Sequence, residues 1–268
     1  MTYDRPPVYV PATPEFVLEV IKDSHRQQSQ FDPEADSCAE LTFATTIDEW
    51  RSACDLVDSG PLGRAMNDQW GLDVPDDAWQ AALEPAWKRT LRGVCELIAS
   101  GAVRPSVEPV KILGATCLPA GVFLAIRSLL SQAGADVKSI APSTPLHEYT
   151  RLYPRVFLGP VSWLAPNTLP LVRARTPWYD LTIVGAFSGL LLIVAACWFN
   201  SPPAIAIGAI LTLISWMGTS ITAQLPPAAV QFGNLQTFKD LARVVAEGIQ
   251  TSGSHKQPTA SPESQGHE

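Results

Sequence analysis

Leu181-Thr-Ile-Val-Gly-Ala-Phe-Ser-Gly-Leu-Leu-Leu-Ile-Val-Ala-Ala-Cys-Trp-Phe199 runs for 19 residues without a charge. After Asn200-Ser-Pro-Pro203, Ala204-Ile-Ala-Ile-Gly-Ala-Ile-Leu-Thr-Leu-Ile-Ser-Trp-Met-Gly-Thr-Ser-Ile-Thr-Ala223 adds 20 more. As helices rising about 1.5 Å per residue, each run is about 30 Å long, the thickness of a bilayer's hydrocarbon core. Pro202 and Pro203 stop one helix and start the next. The expected structure is a two-helix transmembrane hairpin, with spans 181–199 and 204–223 inside a segment 179–224. The competing reading is a pair of buried core helices. It needs a polar shell that the chain after residue 224 hardly supplies.

The flanks give that hairpin a direction. Arg173 and Arg175 precede it, Lys239 and Arg243 follow it, and the connecting loop is uncharged. Both termini are therefore expected in the cytoplasm. Trp178, Tyr179 and Trp198 suit the aromatic belts of a bilayer. The start, Met1-Thr-Tyr-Asp-Arg-Pro-Pro, has no apolar signal region. An integral protein of a cytoplasmic membrane follows. Gly185 and Gly189 make one small-residue face, and Ala204, Gly208 and Thr212 make another. Such faces let helices approach closely in lipid. Packing against each other is favoured over pairing with a protein partner or a second copy. Neither span holds an ionisable side chain, which argues against a channel or pump.

Working outward, residues 1–134 read as a helical cytoplasmic domain. Thr13-Pro14-Glu15 starts a helix with Phe16, Val17, Val20 and Ile21 on its apolar face. Thr46-Ile-Asp-Glu49 is a capping-box pattern ahead of Trp50, Cys54 and Val57. Asp76 caps a helix through Trp79 and Leu83 that Pro85 ends. A further helix is expected from Pro85, with Trp87, Leu91, Val94, Cys95 and Ile98 on one face. Pro119 opens another, bearing Val122, Ile126 and Leu129, and Gly134 ends it. No alternating strand pattern stands out. Residues 135–178 form a Pro-rich basic juxtamembrane segment, 225–249 a cytoplasmic amphipathic helix, and 250–268 a disordered tail. The fold class is mainly α: a helical cytoplasmic domain followed by the transmembrane hairpin. Thr90-Leu-Arg-Gly-Val-Cys-Glu-Leu-Ile-Ala-Ser-Gly101 echoes Thr237 to Gly248. Two capped helices ending at glycine give the same echo by local physics, and that reading is preferred to a true repeat.

Charge is unevenly spread. Residues 1–100 hold 8 basic and 18 acidic side chains, and residues 101–178 hold 8 basic and 3 acidic. A net charge of −7 without a basic run argues against nucleic acid as a partner. Five cysteines and no CxxC pair argue against a disulfide framework or zinc ribbon. Buried, reduced thiols are expected, with no metal and no cofactor. No phosphate-loop, dinucleotide, zinc-protease or nucleophile-elbow motif occurs, so an enzyme is the less favoured reading. His147, beside Glu148 and with Cys117 elsewhere, is a weak catalytic candidate against the plainer reading of a loop histidine. Arg151, Arg155, Arg173 and Arg175 are candidates for anionic lipid headgroups, or, for the last two, for topology alone.

Residues 125–149, from Ala-Ile-Arg-Ser-Leu-Leu-Ser-Gln to Thr-Pro-Leu-His-Glu-Tyr, resemble the first helix and loop of acyl-carrier-like domains. That family's Asp-Ser-Leu, whose serine carries phosphopantetheine, has no counterpart here. The order of parts from Pro142 to Leu241 is similar to that of uncharacterised bacterial two-span membrane proteins. These resemblances imply bacterial origin and no specific activity. The expected function is a membrane-anchored interaction or scaffold module. The alternatives are a membrane-interface enzyme acting on a lipid or acyl substrate through His147, and a small subunit of a membrane complex.

Overall fold

Thr13 closes the first helix as the sequence requires: its hydroxyl accepts from the Phe16 amide at 3.3 Å, with Pro14 in the first turn. A computed structural model describes residues 7–30, 32, 34–56, 58–112, 114–174 and 230–254, with six single positions between 174 and 230. In chain order the elements are β1 (Val8–Pro11), α1 (Pro14–Gln28), α2 (Ile47–Ala53), α3 (Ser59–Trp70), α4 (Asp76–Leu83), α5 (Leu91–Ala99), β2 (Val103–Ser106), β3 (Val110–Ile112), β4 (Ala115–Cys117), α6 (Leu118–Gln132), α7 (His147–Leu152), α8 (Pro154–Val156), β5 (Val172–Ala174), β6 (Val230–Phe232) and α9 (Phe238–Ser254). A π turn at Phe157–Val161 and a 3₁₀ turn at Ser162–Leu164 follow α8. The strands pair two by two: β1 with β2, β3 with β4, β5 with β6. Each is three or four residues long, too short for alternation to show in the sequence.

The echo between Thr90–Gly101 and Thr237–Gly248 extends far beyond two similar helices, and local physics alone does not account for it. Two 15-residue helices, α1 and α6, open the two halves. Val17, Val20 and Ile21 are buried on the first, and Val122, Ala125 and Ile126, at the same spacing, on the second. Next, the Thr42 amide donates to Thr45 Oγ1 at 2.8 Å, as the Ala141 amide does to Thr144 Oγ1 at 2.8 Å. A single antiparallel bridge then joins Thr46 to Thr90, and another joins Pro145 to Thr237. Around these bridges the Ile47 amide donates to Arg89 O and Leu146 to Gln236 O. Leu91 donates to Thr45 O and Phe238 to Thr144 O, while Arg92 donates to Phe43 O and Lys239 to Pro142 O. Last, α5 packs on α1, and α9 packs on α6. Backbone hydrogen bonds matched donor for donor across distant segments define one unit built twice. The halves differ in what lies between the short helix and the final one: α3 and α4 in the first, residues 153–236 in the second.

Each half closes its own core. Ile47, Trp50, Leu91, Val94 and Ile98 are buried with Val17 and Ile21 in the first. Phe238, Leu241 and Val245 are buried in the second, with Tyr149 edge-on to Phe238 at 5.3 Å. Trp70 stacks on Trp163 at 4.3 Å and so joins the halves. A polar latch also joins them. Asp23, 1% exposed, accepts from Ser162 Oγ and from Arg26, both at 2.6 Å. Arg26 also donates to Leu169 O, and Gln27 Oε1 accepts from the Val172 amide. Every buried oxygen of this latch has a donor, as burial demands.

Several expectations need correction. Among the described residues no helix is long and apolar enough to cross a membrane. The longest, α9, has 17 residues and one exposed polar face, about 26 Å against a core of about 30 Å. The transmembrane hairpin, the membrane anchor and the integral-membrane localisation are therefore withdrawn. Nearly all of 181–199 and 204–223, with Gly185, Gly189, Ala204 and Gly208, lies outside the described residues. Thr212 is described, helical and half-buried. A charge-free run has the same length whether lipid or protein covers it, so hydropathy alone could not choose. The chain instead divides into Met1–Arg173 with Gln231–Glu268, and a second unit Ala174–Val230 set into the second repeat. The helix expected from Pro85 begins only at Leu91, and Trp87 stands 66% exposed in the preceding turn. Asp76 is the first helical residue of α4 rather than its cap, which is Pro75. By contrast, the Thr46–Glu49 capping box and the left-handed Gly134 after α6 are as expected.

Candidate functional site

A concavity opens where the first turns of α1 meet β2, the Leu164–Pro166 turn and the later turns of α9. It is a cleft of about 400 Å³. That lies within the range of ligand pockets, about 300–1,000 Å³. Both repeats build it. Phe16 forms part of the floor, set by the 3.6-residue period that also buries Val17 and Val20. Arg104 reaches it from β2, where antiparallel pairing puts Arg104 opposite Val10 and on the same face as Ser106.

Two of the three charged side chains in this cleft, Arg104 and Glu15, have no ion-pair partner among the described residues. The Arg104 guanidinium lies over the Phe16 ring at 5.1 Å. Its Nε is shielded from water and has no hydrogen-bond partner, and among the described residues the side chain makes no ion pair. A guanidinium stacked on an aromatic face keeps its outer N–H donors free for a planar anion. Glu15, also in the wall, has no ion-pair or hydrogen-bond partner among the described residues. Glu19 is already engaged by Lys22 at 2.8 Å and Asn167 at 2.7 Å. Arg104 and Glu15 therefore face one cleft without pairing to each other.

The other chemistry-bearing residues are placed differently. His147 begins α7, exposed, and among the described residues no hydrogen bond joins it to Cys117. Arg151 and Arg155 are exposed, Arg173 belongs to β5, and Arg175 lies outside the described residues. The structure thus does not bring these four arginines into one described group. Sequence reading missed a different pair: Cys54 Sγ lies 3.3 Å from His25 Nδ1, both buried. Burial pushes the Cys54 thiol up to about 11, so it stays protonated beside the imidazole, whose tautomer sets which of the two donates. That is the reverse of an activated thiolate. Among the described residues no group of three or more His, Cys, Asp or Glu could hold a metal ion. Arg104 was also missed. A single arginine in a four-residue strand carries no sequence signal, and only the fold sets it on Phe16.

No protein family matches this chain, and no curated protein or solved structure matches it.

Proposed function

We propose that the chain is an interaction module, made of two copies of one helical unit, whose binding surface is the cleft where the copies meet. One observation carries this: Arg104, held on Phe16 at 5.1 Å in that cleft, lacks any anionic partner among the described residues. Leaving a half-buried guanidinium unpaired costs stability that a bound partner returns. Junctions between packed units are also where ligand pockets concentrate.

The test is a transverse-relaxation-optimised NMR screen of the full chain against a chemically diverse fragment library. Binders should shift the amides of Arg104, Ser106, Leu164 and Ile249 together. Shifts confined to other surfaces, or none at all, contradict the reading. Filling the cleft by Ser106→Trp should abolish those shifts while the α5 and α9 amides keep their positions.

A further inference from the structure

The charge pattern inside the cleft narrows what it takes. A simple anion drawn to Arg104 would also meet the carboxylates of Glu15 and Glu19. A simple cation drawn to Glu15 would meet the guanidinium. Glu15 is exposed and Arg104 half-buried, neither is paired with the other or with a described neighbour, and a ligand carrying both signs engages the two at once. Between them the walls are apolar: Phe16, Leu164 and Ile249. The hydroxyls of Thr13 and Ser106 also line the cleft, although Thr13 already accepts from the Phe16 amide.

We propose that the cleft binds a zwitterion of the amino-acid or short-peptide type, with its carboxylate on Arg104, its ammonium on Glu15 and an aliphatic side chain against Phe16 and Leu164. This rests on the cleft being the binding surface and adds the class of ligand. The guanidinium supplies parallel N–H donors to the carboxylate, and the Phe16 ring beneath fixes its plane. The aliphatic contact gains by leaving water, and the two ionic contacts set orientation.

Isothermal titration of the full chain with L-leucine and with the dipeptide Leu-Leu tests it. N-acetyl-leucine and leucinamide, each lacking one charge, serve as half-ligands. At least one of the two zwitterions should bind, and each half-ligand should be weaker by about tenfold or more. Whichever zwitterion binds tighter tells whether a free amino acid or a peptide is the source. Arg104→Gln should remove measurable binding, and Glu15→Gln should weaken it by about tenfold while restoring parity with N-acetyl-leucine. That restored parity is a readout that a merely destabilised variant would not give. Half-ligands binding as well as zwitterions, or Arg104→Gln binding as the parent does, overturn the proposal. If fragments occupy the cleft but neither leucine nor Leu-Leu binds, the ligand class falls and the interaction module stands.

Discussion

Gly248 is buried in α9 where a Cβ would collide with Thr168 Cγ2. Gly93, in α5, has nothing within 4 Å and is exposed. Gly248→Ala should therefore lose about 1–3 kcal/mol through overpacking. Gly93→Ala should gain about 0.5–1 kcal/mol of helix stability. Urea unfolding of the two variants beside the parent checks both signs. The buried thiols make a second residue-scale prediction. Burial, helped by the charges of Glu96 and Glu15, raises Cys95 to about 12, and burial raises Cys54 to about 11, from 9.0. The unfolded chain ionises these thiols first, so the stability they contribute is whole below pH 9. It is lost as pH rises through the folded values. The urea midpoint should fall between about pH 8 and pH 10.5, and less steeply in Cys54→Ala/Cys95→Ala. Equal slopes would mean that other groups govern alkaline unfolding.

At the scale of elements, the matched turns of the two halves invite matched substitutions. Thr45 and Thr144 each accept, at 2.8 Å, the backbone amide of the residue three positions earlier in the turn. Thr45→Val and Thr144→Val keep shape and remove the acceptor, and each should cost about 0.5–1.5 kcal/mol. A loss at Thr45 with none at Thr144 would count against equivalence of the halves. Helices were the legible part of this chain, because caps and apolar spacing are local. Thr13, Thr46, Pro119 and Gly134 did what their chemistry dictates. The helix α3 was not legible: Gly60, Pro61 and Gly63 depress its propensity, and burial of Leu62 and Trp70 overrides that. In the sequence the repeat shows over only twelve residues. Its decisive marks, the bridges Thr46–Thr90 and Pro145–Thr237, join residues far apart in sequence. The cleft was illegible for the same reason, since Phe16, Arg104 and Leu164 meet only after folding.

At the scale of the whole molecule, the chain is a duplicated helical unit carrying a second unit, Ala174–Val230, within its second copy. Strands β5 and β6 pair where the chain leaves and returns, so the two ends of the insertion are close. Replacing residues 175–229 by a short Gly/Ser linker should leave the α1–α5 and α6–α9 pairs folded, with a cooperative thermal transition. Loss of that transition would show that the repeats depend on the insertion. The most direct test of the account is amide hydrogen exchange of the full chain at the bridge positions. Ile47 and Leu91 in the first half, and Leu146 and Phe238 in the second, donate to matched carbonyls. All four amides are predicted to be protected together, well above free-peptide exchange. Protection of Ile47 and Leu91 alone, with Leu146 and Phe238 exchanging as in an unfolded peptide, would contradict a unit built twice and the cleft that depends on both copies.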